Sequence, residues 1–372
     1  MEHAANKPSV FKRILKVILI ILLVIAALVI LGIGYLSIVE YKPADIEIVS
    51  ISDRMPNSTA QHVVQNTSHS ILTWNIGYGA LGDNADFFMD GGTKVITADK
   101  NRLNFNMNGI ISEVKNISPE FLIVQEADIN STRSLHVNLV EMLRSDLGYR
   151  FSTFAYNFNS AYIPYPIPPL GHVESGLVTL SDYELSYSER VQLPCPFSWP
   201  MRIVNLKRCL MADTFKVYDS AGNDTGKELV IVNLHLEAYD DGQGKIMQAQ
   251  MVRQYLQDQY ERGNYVIAGG DFNQTFSNCD TSAYPKLRDD WQPGVINAEE
   301  FSESWSLLMD PTYPTCRSLI KPYTGESPDK HQFYMIDGFI VSDNIKILSI
   351  ETIDEGFTYT DHNPVLLEFE LD

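Results

Sequence analysis

Residues 269–273, Gly-Gly-Asp-Phe-Asn, place a carboxylate (Asp271) and an amide (Asn273) two positions apart, directly after the apolar run 265–268. A short run rich in β-branched residues reads as a buried strand. Two glycines at its end permit a tight turn and the close approach of another group. If extended geometry continues, both polar side chains point to the same side. An acid beside an amide donor suits the activation of a water next to a phosphate. Asp and Asn at a strand end also suit an ordinary turn, so the stretch gains its meaning from the other polar strand ends in the chain.

Those ends recur in order. The run 70–74 reads as a strand that closes on Asn75. Residues 101–117 carry Leu103, Met107, Ile110, Ile111 and Val114 at helical spacing, and Pro119 stops the helix. Strand 121–124 closes on Gln125 and Glu126. A Glu at a buried strand end is costly unless it is paired or bound to a metal. Residues 131–147 read as one helix with Leu135, Leu139, Leu143 and Leu147 on one face. Arg133 near its start is within reach of the strand ends, although a solvated helix face is the ordinary place for it. Strand 151–157 leads to a Pro-rich, aromatic stretch, 162–170, expected to be an irregular loop that shapes access. His172, ahead of strand 177–180, reads equally well as pocket lining or turn residue. Runs 208–218 and 228–236 form a hairpin, and Asn233 and His235 share one face of its second strand. Helix 248–260 ends at Gly263 and leads into the Gly-Gly-Asp strand. Residues 278–327, with Trp291, Trp305 and Tyr313, are expected as an irregular insertion walling the site. Strand 333–341 carries Asp337 near its middle, where a buried carboxylate needs a partner. Asp361-His362 stands between strands 346–352 and 365–371. Such a step suits acid–base work, because His titrates near neutrality and a carboxylate fixes its tautomer.

Ahead of this domain, residues 17–39 contain no charged side chain. As a helix they would span about 35 Å, enough for a bilayer core of about 30 Å. Lys7, Lys12, Arg13 and Lys16 precede the run, and Glu40 and Asp45 follow it. That bias places residues 1–16 in the cytoplasm and the remaining chain outside. The rival reading, a cleaved signal peptide, expects a shorter apolar core and an Ala-x-Ala-like site, which 34–37 does not supply. An uncleaved single-pass anchor at 17–39, a linker at 40–69 and one domain at 70–372 are expected. The net charge of −19 opposes a polyanion and makes nucleic acid the less favoured partner. The four cysteines form no Cys-x-x-Cys pair, so no zinc ribbon is indicated.

The ordered motifs Trp74-Asn75, Gln125-Glu126, 175–181, 233–236, 270–273, 336–339 and Asp361-His362 resemble those of the endonuclease/exonuclease/phosphatase superfamily, the DNase I-like fold. The resemblance covers about residues 70–372. It implies an α/β fold, a four-layer α/β sandwich, here preceded by a transmembrane helix. It also implies Mg²⁺ or Mn²⁺ held by Glu126 with Asn75 nearby, and Asp361 as a supporting or second-metal carboxylate. Asp271 would orient or deprotonate a water, and Asn273 would bond the phosphate. His235 and His362 would bind phosphoryl oxygens, with Asp337 orienting His362. Arg133 and His172 are the candidate substrate contacts. The expected activity is in-line hydrolysis of a phosphoester, in a lipid headgroup or small metabolite, by a protein of a bacterial cell membrane. An extracytoplasmic nuclease and an inactive surface-binding module are the alternatives. No position of the motif set is missing, which disfavours the inactive module.

Overall fold

Alternation along the strands separates three cores and thereby sets the layers. In strand Ser68–Asn75, Leu72 and Trp74 face helices, whereas Ile71 faces a second sheet. In strand Tyr265–Asp271, Tyr265 and Ile267 face inward, and Val266 and Ala268 face a different helix. The computed structural model describes residues 10–289 and 291–372. Its first helix, α1 (Val10–Ile38), buries none of its residues. Its most apolar 18-residue window has a mean hydropathy of 3.5, so it is long and apolar enough to cross a membrane.

Two sheets then stack face to face. The smaller runs in the order Ile345–Thr352, Val365–Leu371, Ser68–Asn75, Phe121–Asp128, Gly171–Ser181, Phe151–Ile163, Ser52–Asp53. Helices α2 (Lys100–Ile117) and α3 (Leu139–Leu147) cover its outer face through Leu103, Met107 and Leu143. The larger runs Ile46–Ile48, Leu185–Gln192, Cys209–Tyr218, Asp224–His235, Tyr265–Asp271, Asp337–Ser342, Trp305–Leu308, with Val63–Val64 beside the end of Cys209–Tyr218. Helix α4 (Gln243–Glu261) covers it through Val252 and Leu256. The result is the expected four-layer α/β sandwich.

Several local expectations are corrected. The helix expected at 131–147 begins only at Leu139, because the Asn138 side chain caps it by accepting from the Glu141 N–H at 2.9 Å. Residues 131–138 form turns instead, with Leu135 and His136 at positive φ. The strand expected at 151–157 runs on to Ile163, so the irregular loop starts later than expected. The stretch expected as a linker, 40–69, is tied into both sheets by three short strand pairings. The glycine pair of 269–270 makes no turn. The strand continues through it to Asp271, and a Cβ at Gly269 would lie 2.5 Å from the Phe339 ring. Within the insertion, Trp305 is buried on an edge strand and donates to Gln257 at 3.1 Å, so it does not wall the site. Among the described residues, all four cysteines are free thiols.

Candidate active site

Strand parity brings the polar ends to the same edge of the sandwich. His235 pairs in register with Asp271, and Asp271 with Asp337. Since all three stand an even number of positions from inward-facing residues of their own strands, they face the other sheet. Asn75 arrives from the smaller sheet and bridges the two. Its amide nitrogen donates to Asp271 Oδ2 at 3.0 Å and to Glu126 Oε1 at 3.2 Å, while its Oδ1 accepts from the Gly77 N–H at 3.0 Å.

Glu126 reaches the same cavity by a different route. Leu122 and Val124 face the helices, so unbroken alternation would send Glu126 there too. The register shifts between Val124 and Ala127, and Glu126 has φ 56°. This β-bulge gives the helix-facing place to Ala127 and re-aims the carboxylate. Arg133 braces it. The guanidinium pairs with fully buried Asp128 through two bonds of 3.0 and 3.2 Å, stacks 3.9 Å over the Tyr78 ring, and lies 3.9 Å from Glu126. Neither Asp128 nor Tyr78 stood out in the sequence.

The two histidines have opposite electrostatics. His362 Nδ1 bonds Asp337 Oδ2 at 2.8 Å, and its Nε2 lies 3.8 Å from Asp271 Oδ2. Burial alone would lower its pKa, but the Asp337 charge and bond, with the Cys316 thiol, hold it well above the ordinary value. His235 Nε2 lies 3.4 Å from the same Asp271 oxygen. Burial, then the cations of Arg208, His362 and Arg133, push its pKa well below the ordinary value. Asp271 is raised by burial and by the neighbouring Asp337 charge. Burial pushes Asp361 up to about 6, opposed by His362 and reinforced by Glu126.

The cavity is lined by Glu126, Arg133, His235, Asp271, Asn273, Asp361 and His362, with Tyr78, Leu170, Leu206, Tyr239 and Trp291 around them. Asn75 and Asp337 stand behind this lining through the bonds described above. Asn273 leaves the strand at φ 50°. Its N–H donates to Asp271 Oδ1 at 2.9 Å and its amide to the Leu236 carbonyl at 2.9 Å. His172 is not brought to the cavity. It bonds the Ala161 carbonyl at 3.2 Å and lies 3.3 Å from Glu174. Of the aromatic residues expected to wall the site from the insertion 278–327, Trp291 lines the cavity and donates to the Ala238 carbonyl at 2.6 Å, whereas exposed Tyr313 does not line it. Asn233 serves the interior, where it accepts from Gln125 at 2.8 Å and donates to the Val124 and Val178 carbonyls. Sequence reading also missed Arg208, which is buried, lies 3.3 Å from Glu237 and donates to the His235 carbonyl at 3.0 Å.

The profile of the Endonuclease/Exonuclease/phosphatase family matches residues 72–362, a span that contains every residue of this cluster. The chain belongs to that family. Its members are hydrolases acting on phosphoesters. No curated protein is similar enough in sequence to count as a relative. Among solved structures, an endonuclease/exonuclease/phosphatase from Beutenbergia cavernae is similar at TM-score 0.54 and 15% identity, over 82% of this chain and 72% of that one. A second from Bacteroides vulgatus has TM-score 0.51 and 17% identity, over 82% and 100%. The human Nocturnin catalytic domain, with a bound sulfate anion, has TM-score 0.50 and 16% identity, over 87% and 98%. At these identities the family members share the DNase I-like fold with the chain.

Proposed function

We propose that the protein is a divalent-metal-dependent phosphodiesterase or phosphatase, anchored by α1, with its domain outside the cytoplasm. The observation that carries the reading is Asp271 between two unlike histidines, joined through Asn75 to Glu126 on the opposite sheet. The donors fit a hard cation. Glu126 and Asp361 turn carboxylates into one cavity, and the burial that raises Asp361 marks a site where negative charge needs neutralising. Asn75, with its oxygen taken by Gly77, holds the carboxylates in place. When bound, Mg²⁺ or Mn²⁺ would polarise the phosphoryl oxygen and neutralise the leaving oxygen.

The chain's own residues supply the remainder. Asp271 accepts a proton from the attacking water, a task suited to a carboxyl whose pKa lies above its ordinary value. His362, kept charged by Asp337, faces a phosphoryl oxygen and stabilises its growing charge. Neutral His235 donates a hydrogen bond from the other side. Asn273 fixes Asp271 through its backbone N–H. Arg133 lines the cavity but is committed to Asp128, so it positions Glu126 rather than contacting the substrate. His172 lies outside the cavity and has no part in this scheme.

A lipid headgroup or small phosphoester fits better than duplex nucleic acid, because the net charge is −19 and the cavity wall carries Trp291, Tyr239 and Leu206. The full-length protein in detergent should release product from phospholipids, sphingomyelin or small phosphoesters with Mg²⁺, and excess chelator should abolish turnover. Full activity in chelator would overturn the metal requirement. Efficient cleavage of DNA with no lipid or small ester hydrolysed would make the protein a nuclease.

A further inference from the structure

The end of α1 is tied to the chain segment that leads to the cavity lining. Trp199 donates its indole N–H to Ser37 Oγ in the last turn of α1, at 3.1 Å. The side chain of Glu40, just past the helix, is buried and held by Lys207 at 3.2 Å and Arg202 at 3.3 Å. The Lys207 N–H bonds the carbonyl of Asn157, which lines the cavity. The anchor is therefore fastened to the segment that leads into the site.

That segment carries unpartnered apolar surface. Trp199 is 57% exposed and Met201 58%. A few residues on, Val204 and Leu206 pack with Phe88 against Phe158, Ile163 and Leu170. Leu206 and Leu170 line the cavity. The loop 164–170 closes this patch. The Tyr165 ring lies 6.0 Å from that of Phe88, yet Tyr165 is 70% exposed and Ile167 95%. Single exposed hydrophobics are ordinary. A group that joins a membrane-length helix at one end and a cavity mouth at the other needs a covering. Lys42 and Arg202, beside Glu40 where the helix ends, suit a membrane interface, where long cationic side chains lay their stems on apolar surface and keep their charges in water.

We propose that the loop 164–170 and the Trp199–Met201 segment insert into the same bilayer that α1 spans, so that the cavity opens at the headgroup plane and takes its phosphoester from the membrane. The occupant is the bilayer, by continuity with α1. This inference rests on the reading of α1 as a membrane span and deepens that of the cavity as a phosphoesterase site.

The test uses the full chain in phospholipid vesicles. A benzophenone-bearing residue is placed at Ile167, Met201, Leu28 or Leu348 and irradiated, and lipid adducts are read by mass spectrometry. Leu28 lies within α1, and Leu348 is exposed on the far edge strand of the smaller sheet. Adducts to acyl chains are expected at Leu28, Ile167 and Met201, and none at Leu348. Adducts at Leu28 alone, or links between two copies of the chain at Ile167 and Met201, would overturn the docking. In parallel, the double variant Ile167→Ser/Met201→Ser should lose about tenfold or more of its turnover on vesicle phospholipid, the scale of weakened interfacial insertion. Its rate on water-soluble bis(p-nitrophenyl) phosphate should not change. Equal loss on both substrates would also overturn the proposal. A wild-type protein inactive on both would sink the phosphoesterase reading, while the crosslinks would still decide the docking.

Discussion

The two sheets deliver their functional groups to the cavity by different means. In the larger sheet, His235, Asp271 and Asp337 sit at successive register pairs of regular strands, and parity alone aims them inward. In the smaller sheet, parity aims Asn75 correctly but would misdirect Glu126, and a bulge at φ 56° corrects it. The regular route asks nothing of the surroundings. The irregular one needs a brace, supplied by Arg133, Asp128 and Tyr78. A carboxylate held off-pattern is thus tied to a buried ion pair that the chemistry itself does not use.

This contrast can be broken at either side. Asp271→Asn should have the largest effect, a loss of about 10²–10⁴-fold in turnover, with an unchanged circular dichroism spectrum because the isosteric amide keeps the strand pairing. Near-normal turnover would mean that parity has been read correctly but the role has not. Arg133→Ala should instead act through stability. It leaves Asp128 buried and unpaired, at a cost of about 3–5 kcal/mol, measurable by denaturant titration. A loss of activity at full stability would contradict the bracing role.

Parity also buries charge where no chemistry follows, which sharpens the comparison. Asp213 faces the gap between the sheets with Ser188, Thr179 and Thr153 about it, and burial raises its carboxyl to about 6. A carboxyl raised in the folded state binds protons more tightly there than when unfolded. Stability therefore falls as pH rises from the ordinary Asp value of about 3.9 through the folded value, by on the order of 3 kcal/mol. Asp213→Asn should remove this fall and be the more stable protein at pH 7.5; an unchanged pH profile of the melting midpoint would exclude it. The smallest effect is expected for Glu126→Gln. Its apparent Mg²⁺ affinity, read from activity against free metal, should weaken by about tenfold to a hundredfold, the scale of a single altered ligand interaction. An unchanged metal dependence would move the cation to Asp361.

Periodicity in the sequence placed most strands and helices, while their stacking in four layers was implied by the resemblance of the ordered motifs. Periods of two and of 3.6 are local properties, and a polar residue that continues an inward series of strand residues must face where its neighbours face. Asn75, His235, Asp271 and Asp337 were legible for that reason, as was the apolar length of α1. Tertiary structure alone decided the rest. The bulge at Glu126 depends on a partner strand whose flanking residues, Gly176 and Val178, are distant in the chain. His172 was drawn away by Glu174 and the Ala161 carbonyl, contacts with no periodic signature. The pairing of Arg133 with Asp128, of Arg208 with Glu237, and the split between the two histidines arise from burial and from charges brought together by the fold. Desolvation and Coulomb energy depend on distance in space, and one-dimensional spacing does not contain that distance.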